Sequence, residues 1–206
     1  MRTKDKIVEA ALALFNNQGT DLITVRHIAK EMGISHGNLC YHFPRKEDII
    51  YQLYLNLVAE LDAAIGQLQG GELNIKQLME SVGRTFAIQY KYKFILTDFV
   101  AIMRSMPEIK THFQSLFIRR KTQFSALIAY LIQTGYFQEE QYPGQYDVFI
   151  HQFYILGDFW IAESEILFQG SDAAKLAHYT RIACGLVYVY LTERGRLEMQ
   201  DLMKGN

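Results

Sequence analysis

The chain has 206 residues, half of them hydrophobic and 21% charged, with a formal net charge of −1. That is the make-up of an ordinary folded soluble protein, either one large domain or a small one joined to a medium one. No apolar run reaches the ~18 to 20 residues that span a bilayer. The Met1 end, with Arg2, Lys4, Asp5 and Lys6, lacks the apolar centre and cleavage site of a signal peptide. Cys40 and Cys184 are the two cysteines, too far apart for a disulfide framework or a metal clip. A cytoplasmic protein with no membrane contact, metal or cofactor is expected. Residues 1–50 carry 7 Lys and Arg against 6 Asp and Glu, so any nucleic-acid binding must come from where charges sit, not from their sum.

The pattern is helical throughout, and the expected class is all-α. Ile7, Ala11, Leu14 and Phe15 mark a first helix over about Lys4–Asn17, closed at Gly19. Thr24 offers a side-chain oxygen to cap a second, with Val25, Ile28, Ala29 and Met32 on one stripe. Gly33 permits a tight turn, Ile34 plugs it, and Ser35 caps a short third helix. That helix buries Leu39 and stops at Phe43, because the residue before Pro44 is pushed towards extended backbone. A long fourth helix from about Lys46 carries Ile49, Leu53, Leu57, Leu61, Ile65 and Leu68, and Gly70-Gly71 ends it. Further helices are expected over 74–92, 94–106, 108–134, 146–168 and 172–191. A three-helix head over 1–48 and a larger helical domain over 49–206 follow.

The second and third helices, joined around Met32-Gly33-Ile34-Ser35, have the spacing of a helix-turn-helix, whose second helix enters the DNA major groove. Its leading turn is Ser35, His36, Gly37 and Asn38. An asparagine amide pairs with adenine, a histidine donates to guanine, and Gly37 lets the backbone come close to the bases. Thr24, Arg26, Tyr41, His42 and Lys46 suit phosphate oxygens, Lys46 beside a helix amino end that itself favours an anion. The plain alternative is a helix–glycine–helix pair in a bundle, with His36 and Asn38 as solvated residues and Tyr41 and Phe43 as core aromatics.

The run from Thr24 to Ile50, TVRHIAKEMGISHGNLCYHFPRKEDII, resembles the amino-terminal domain of the tetracycline-repressor (TetR) family. The first helix, with AALALF at 10–15 and Gly19 after it, matches too. The resemblance implies a dimeric repressor that binds a double-stranded DNA operator, with an all-α ligand-binding and dimerisation domain behind the head. Two positions depart from the family pattern. Cys40 stands where a tyrosine is usual, which weakens or removes one contact. Arg45 stands where a small polar cap is common, so the fourth helix starts less cleanly or gains a phosphate contact.

Phe99, Met103, Phe117, Phe124 and Trp160 belong to a domain rich in rings and methionine. An aromatic stripe can be ordinary core, but such side chains also line irregular cavities. The family resemblance implies a pocket for a mainly apolar small-molecule effector among these five. Residues 91–134 are locally basic, either as a solvated face or, through Arg119 or Arg120, as a contact for an anionic group on the ligand. The helices at 146–168 and 172–191 are apolar nearly all round and so must be covered on every side. A second copy is the expected cover, through Phe153, Gly157 and Ile161 on one helix and Ile182, Gly185 and Val189 on the other. Asp158, alone in its apolar run, is expected to have a hydrogen-bonding partner.

Two other classes compete. Asp147 with His151, and Glu108 with His112, have the spacing of a metal or acid–base pair, yet no phosphate loop, HExxH or nucleophile elbow accompanies them. A nucleoid-binding or structural dimer answering to a protein partner would keep the head and dispense with the ligand. The reading that absorbs most of the sequence is a repressor released from its operator by an apolar molecule.

Overall fold

The computed structural model describes residues 3–67 and 73–204, which form eleven helices and no strand, with one bridge between Phe137 and Leu191. The all-α expectation is met. The Gly70-Gly71 boundary and Leu68 lie outside the described residues.

Helix α1 (Thr3–Gln18) buries Ile7, Val8, Ala11 and Phe15 and ends at Gly19, whose φ of 76° is left-handed. Helix α2 (Val25–Glu31) starts where Thr24 Oγ1 accepts the His27 N–H, and α3 (His36–His42) where Ser35 Oγ accepts the Asn38 N–H. Between them Gly33 has φ 65°, which lets the Ile34 N–H reach back to the Ala29 carbonyl at 3.0 Å. Phe43 is extended, as a residue before proline should be.

Helix α4 (Lys46–Gly66) buries Ile49, Leu53, Leu57 and Leu61 in the same apolar core as the head. That core continues through Tyr92, Phe94, Ile102, Ile109 and Leu116, so the head has no closed interior of its own. Arg45 begins α4 differently from a small cap: its N–H and its guanidinium both donate to Asp48, at 2.9 Å each.

The rest comprises α5 (Ile75–Lys91), α6 (Lys93–Thr97), α7 (Phe99–Ser105), α8 (Pro107–Gln133), α9 (Gln145–Leu167), α10 (Asp172–Tyr188) and α11 (Glu193–Lys204). Two features differ from the sequence reading. The expected helix over 94–106 is broken in two at Asp98 (φ −95°, ψ 16°). The carboxylate there is committed to Thr20 of the head. Helix α11 is the other, beyond the last helix the sequence pattern predicts. Thr192 Oγ1 accepts the Gly195 N–H, Glu198 accepts from the Tyr136 hydroxyl, and Met199 is buried. A Cβ on Gly195 would lie 2.7 Å from the Tyr136 carbonyl oxygen, so close packing requires the glycine.

Trp160 anchors the middle of the rear domain. It is buried, stacks on Phe86 at 5.0 Å and donates its indole N–H to Gln89 Oε1 at 2.8 Å. Truncating such a side chain costs ~3 to 5 kcal/mol. Among the described residues no helix is long and apolar enough to cross a membrane.

Candidate DNA-reading helix and ligand cavity

The leading turn of α3 faces outward. Ser35, His36, Gly37 and Asn38 are all exposed, while Leu39 behind them is fully buried and pins the helix to the core. A Cβ on Gly37 would meet nothing within 4 Å, so the fold itself does not need a glycine there. Tyr41 is 84% exposed, with its ring edge-on to His42 at 5.2 Å. Thr24 and Arg26 are exposed and His42 is half-buried. Cys40 places its Sγ 3.4 Å from His36 Nε2, one helical turn away, so the imidazole lies along α3. Lys46 stands apart from this group. Its ammonium donates one of its three N–H groups to the Thr20 carbonyl at 2.7 Å and helps to fix the head, which leaves two donors for a phosphate.

The head is tied to the body by polar contacts from α1 and the loop after it. Asn16 donates to the Lys91 carbonyl at 2.9 Å and accepts the Phe94 N–H at 3.1 Å. Thr20 gives Asp98 both its N–H and its hydroxyl. These contacts grip the ends of α5 and α6, directly beneath the rear domain.

Inside that domain lies a cavity of about 430 Å³. Helices α4, α5, α8 and α9 supply most of its walls, with Leu61, Leu78, Val82, Phe86, Phe113, Leu127, Phe149 and Phe153 among the lining side chains. Of the five expected pocket residues, Phe117 and Phe124 line it. The other three do not. Phe99 stands behind the wall, between the rings of Phe113 and Phe159. Met103 packs on the head's core. Trp160 is screened from the cavity side by Phe86 and Gln89.

Ser81, Thr85, Gln89, Gln123 and Tyr154 supply neutral polar groups, and Arg120 and Asp158 the charged ones. Arg120 lines the cavity, but its Nη2 donates to Asp62 Oδ1 at 2.8 Å and its Nε is enclosed without a partner. Arg119 does not line it: this guanidinium is more than half exposed and pairs with the other oxygen of Asp62. Asp158 also lines the cavity, and the expected hydrogen-bonding partner is missing among the described residues. Burial pushes its carboxyl up to about 7, against the opposing pull of Arg120. Burial likewise raises the Tyr154 phenol to about 12.

The dimer-face expectation needs correction on α9. Ile161 is 0% exposed, Phe153 and Gly157 line the cavity, and the Gly157 carbonyl accepts from Gln89 Nε2 at 3.1 Å. All three point inward. The outer stripe of α9 is instead Val148, Ile155, Phe159 and Ile166, which are exposed. On α10 the expected Ile182, Gly185 and Val189 are exposed.

The pairs weighed for catalysis are ordinary contacts. Asp147 meets Lys121 at 2.9 Å, His151 is edge-on to Phe117, and His112 Nδ1 is 3.0 Å from the Tyr54 hydroxyl. No cluster of metal-binding side chains occurs among the described residues.

Residues 7–53 match the family profile described as bacterial regulatory proteins, tetR family, and residues 56–199 match one described as bacterial transcriptional repressor. Among curated proteins the chain is similar to a probable HTH-type transcriptional regulator, YttP, of Bacillus subtilis. The two are 30% identical over 102 residues, 48% of each chain, so the match spans about half that relative's length. Among solved structures, a TetR-family transcriptional regulator from Marinobacter aquaeolei has a TM-score of 0.89 at 24% identity, covering 100% of this chain and 98% of that one. The ketosteroid transcriptional regulator KstR2 of Mycobacterium tuberculosis has a TM-score of 0.71 at 18% identity, covering 93% and 96%.

Proposed function

The chain belongs to the TetR family of bacterial transcriptional regulators, regulators and not enzymes, and from that membership we propose a homodimeric repressor released from its DNA operator by an apolar small molecule. The observation that carries this reading is the cavity, because its walls include α5, the helix whose last turn is gripped by Asn16 of the head. Two recognition helices related by a two-fold axis would read half-sites ~34 to 36 Å apart. A ligand that fits the cavity better when the heads are differently spaced draws the population away from the operator-binding form, by no more than its difference in affinity for the two forms.

His36, Gly37 and Asn38 serve as base readers. Thr24, Arg26, Ser35, Tyr41 and His42 serve as backbone contacts. Phe117 and Phe124 contribute to the ligand site, and Ile182, Gly185 and Val189, with the outer stripe of α9, form the dimer face. The name of the KstR2 neighbour, a ketosteroid regulator, is in keeping with an apolar effector. A large apolar cavity also favours this reading over a nucleoid-binding dimer controlled by a protein partner. The test combines a thermal-shift screen of apolar compounds with fluorescence polarisation of bound operator. A compound that raises the melting point should also free the DNA, and Leu127→Trp, which fills the cavity, should abolish both effects. Compounds that stabilise the protein while leaving every DNA complex intact would contradict the reading.

A further inference from the structure

We infer that Asp158 is the anchor for a ligand carrying a protonated amine on an apolar body. This rests on the proposal that the cavity takes an apolar effector, and it names the polar end of that molecule. Among the described residues lining the cavity, Asp158 is the one carboxylate and Arg120 the one cation. Their situations differ. Arg120 already gives Nη2 to Asp62, and its Nε is walled in by protein. Gln89 is also engaged, with the Trp160 indole and the Gly157 carbonyl. Among the described residues Asp158 makes no hydrogen bond or ion pair, and Tyr154, one turn earlier on the same face of α9, makes none either.

An unpartnered carboxylate in an apolar cavity is costly unless it is neutralised or given a donor. A protonated amine supplies both an opposite charge and N–H donors. A carboxylate ligand would lie beside Asp158 and repel it. An alcohol offers one weak donor and leaves the charge unbalanced. The burial of Asp158 adds a signature: its carboxyl, raised to about 7, must give up its proton to receive the ammonium.

The other ionisable groups around Asp158 are Tyr154 on α9, Arg120 on α8 and, behind Arg120, Arg119 and Asp62. The exposed His151 lies two turns earlier on α9.

Isothermal calorimetry on the purified 206-residue chain tests this with decylamine, decanol and decanoate at submicellar concentration. Decylamine should bind roughly tenfold to a hundredfold more tightly than decanol at neutral pH, and decanoate most weakly. The amine's affinity should climb about tenfold per unit as pH rises towards 7 and then level off. Asp158→Asn should erase both the preference and the pH dependence while leaving decanol unchanged, which separates Asp158 from His151. Should that variant fold poorly, the same pH series on His151→Gln decides: an unchanged pH dependence keeps Asp158 as its source, and a lost one overturns the inference. Equal binding of decanol and decylamine, or tightest binding of decanoate, would overturn the inference while leaving an effector cavity in place. Binding of none of the three would remove the apolar effector with it.

Discussion

Thr20 Oγ1 donates to Asp98 Oδ2 at 2.6 Å, and the Thr20 N–H reaches the same oxygen at 3.1 Å. The carbonyl of Thr20 meanwhile accepts from Lys46 at the start of α4. One residue of the head is therefore held from two directions, by the α6–α7 junction and by the helix that leads into the body. Movement of either must reach the loop before α2.

Breaking that tie should loosen the coupling more than the fold. Asp98→Ala removes two hydrogen bonds to a partly buried carboxylate, and bonds to charged groups contribute ~1.5 to 3 kcal/mol each as an upper range. A loss of roughly 1 to 3 kcal/mol is expected in urea denaturation. Ligand affinity should stay within about twofold, while the concentration of ligand needed to free DNA should rise. Unchanged release in a folded Asp98→Ala protein would show that the signal travels through α4 alone.

Asp158 should make stability depend on pH. Its folded carboxyl is raised to about 7 from an ordinary value of 3.8, so the folded form holds a proton that the unfolded chain releases. The stabilisation is complete below about pH 4 and fades as pH rises towards 7. Between those limits wild type should lose on the order of 1 to 3 kcal/mol relative to Asp158→Asn. Parallel melting curves for the two proteins across that window would show that the carboxyl titrates normally.

The outer stripe of α9 and α10 should behave as an interface. Ile155→Asp with Val189→Asp places charges on exposed apolar positions, where each apolar side chain is worth ~1.5 to 3 kcal/mol when buried. Sedimentation should show monomers with an unchanged helical spectrum and much weaker operator binding. Ile161→Asp, placed inside the subunit, should instead unfold it. A double variant that remains dimeric would mean the second copy sits elsewhere.

What could be read in advance followed from how local each signal was. Thr24, Gly33 and Ser35 each act within four residues, so their caps and turn are visible in sequence. Facing is different. Phe117 and Phe153 both belong to apolar runs, and nothing in the runs distinguishes a cavity wall from core or from an outer surface. Hence the sequence pattern places Trp160 and Ile161 in the wrong surroundings and does not single out Phe86 for the wall. The break at Asp98 depends on a partner 78 positions away. Helix α11 packs through Gly195 against the Tyr136 carbonyl, a contact between distant segments that only the fold brings together.

DNA reading by the front of α3 is most directly tested by selecting random duplexes with the purified protein and repeating the measurement with His36→Ala, Asn38→Ala and Arg26→Ala. Wild type should enrich a two-fold symmetric sequence. His36→Ala and Asn38→Ala should each relax one position of it, at ~1 to 3 kcal/mol, whereas Arg26→Ala should weaken every sequence alike and flatten the salt dependence. No enriched sequence with wild type, or identical uniform losses for all three variants, would contradict the assignment of bases to His36 and Asn38.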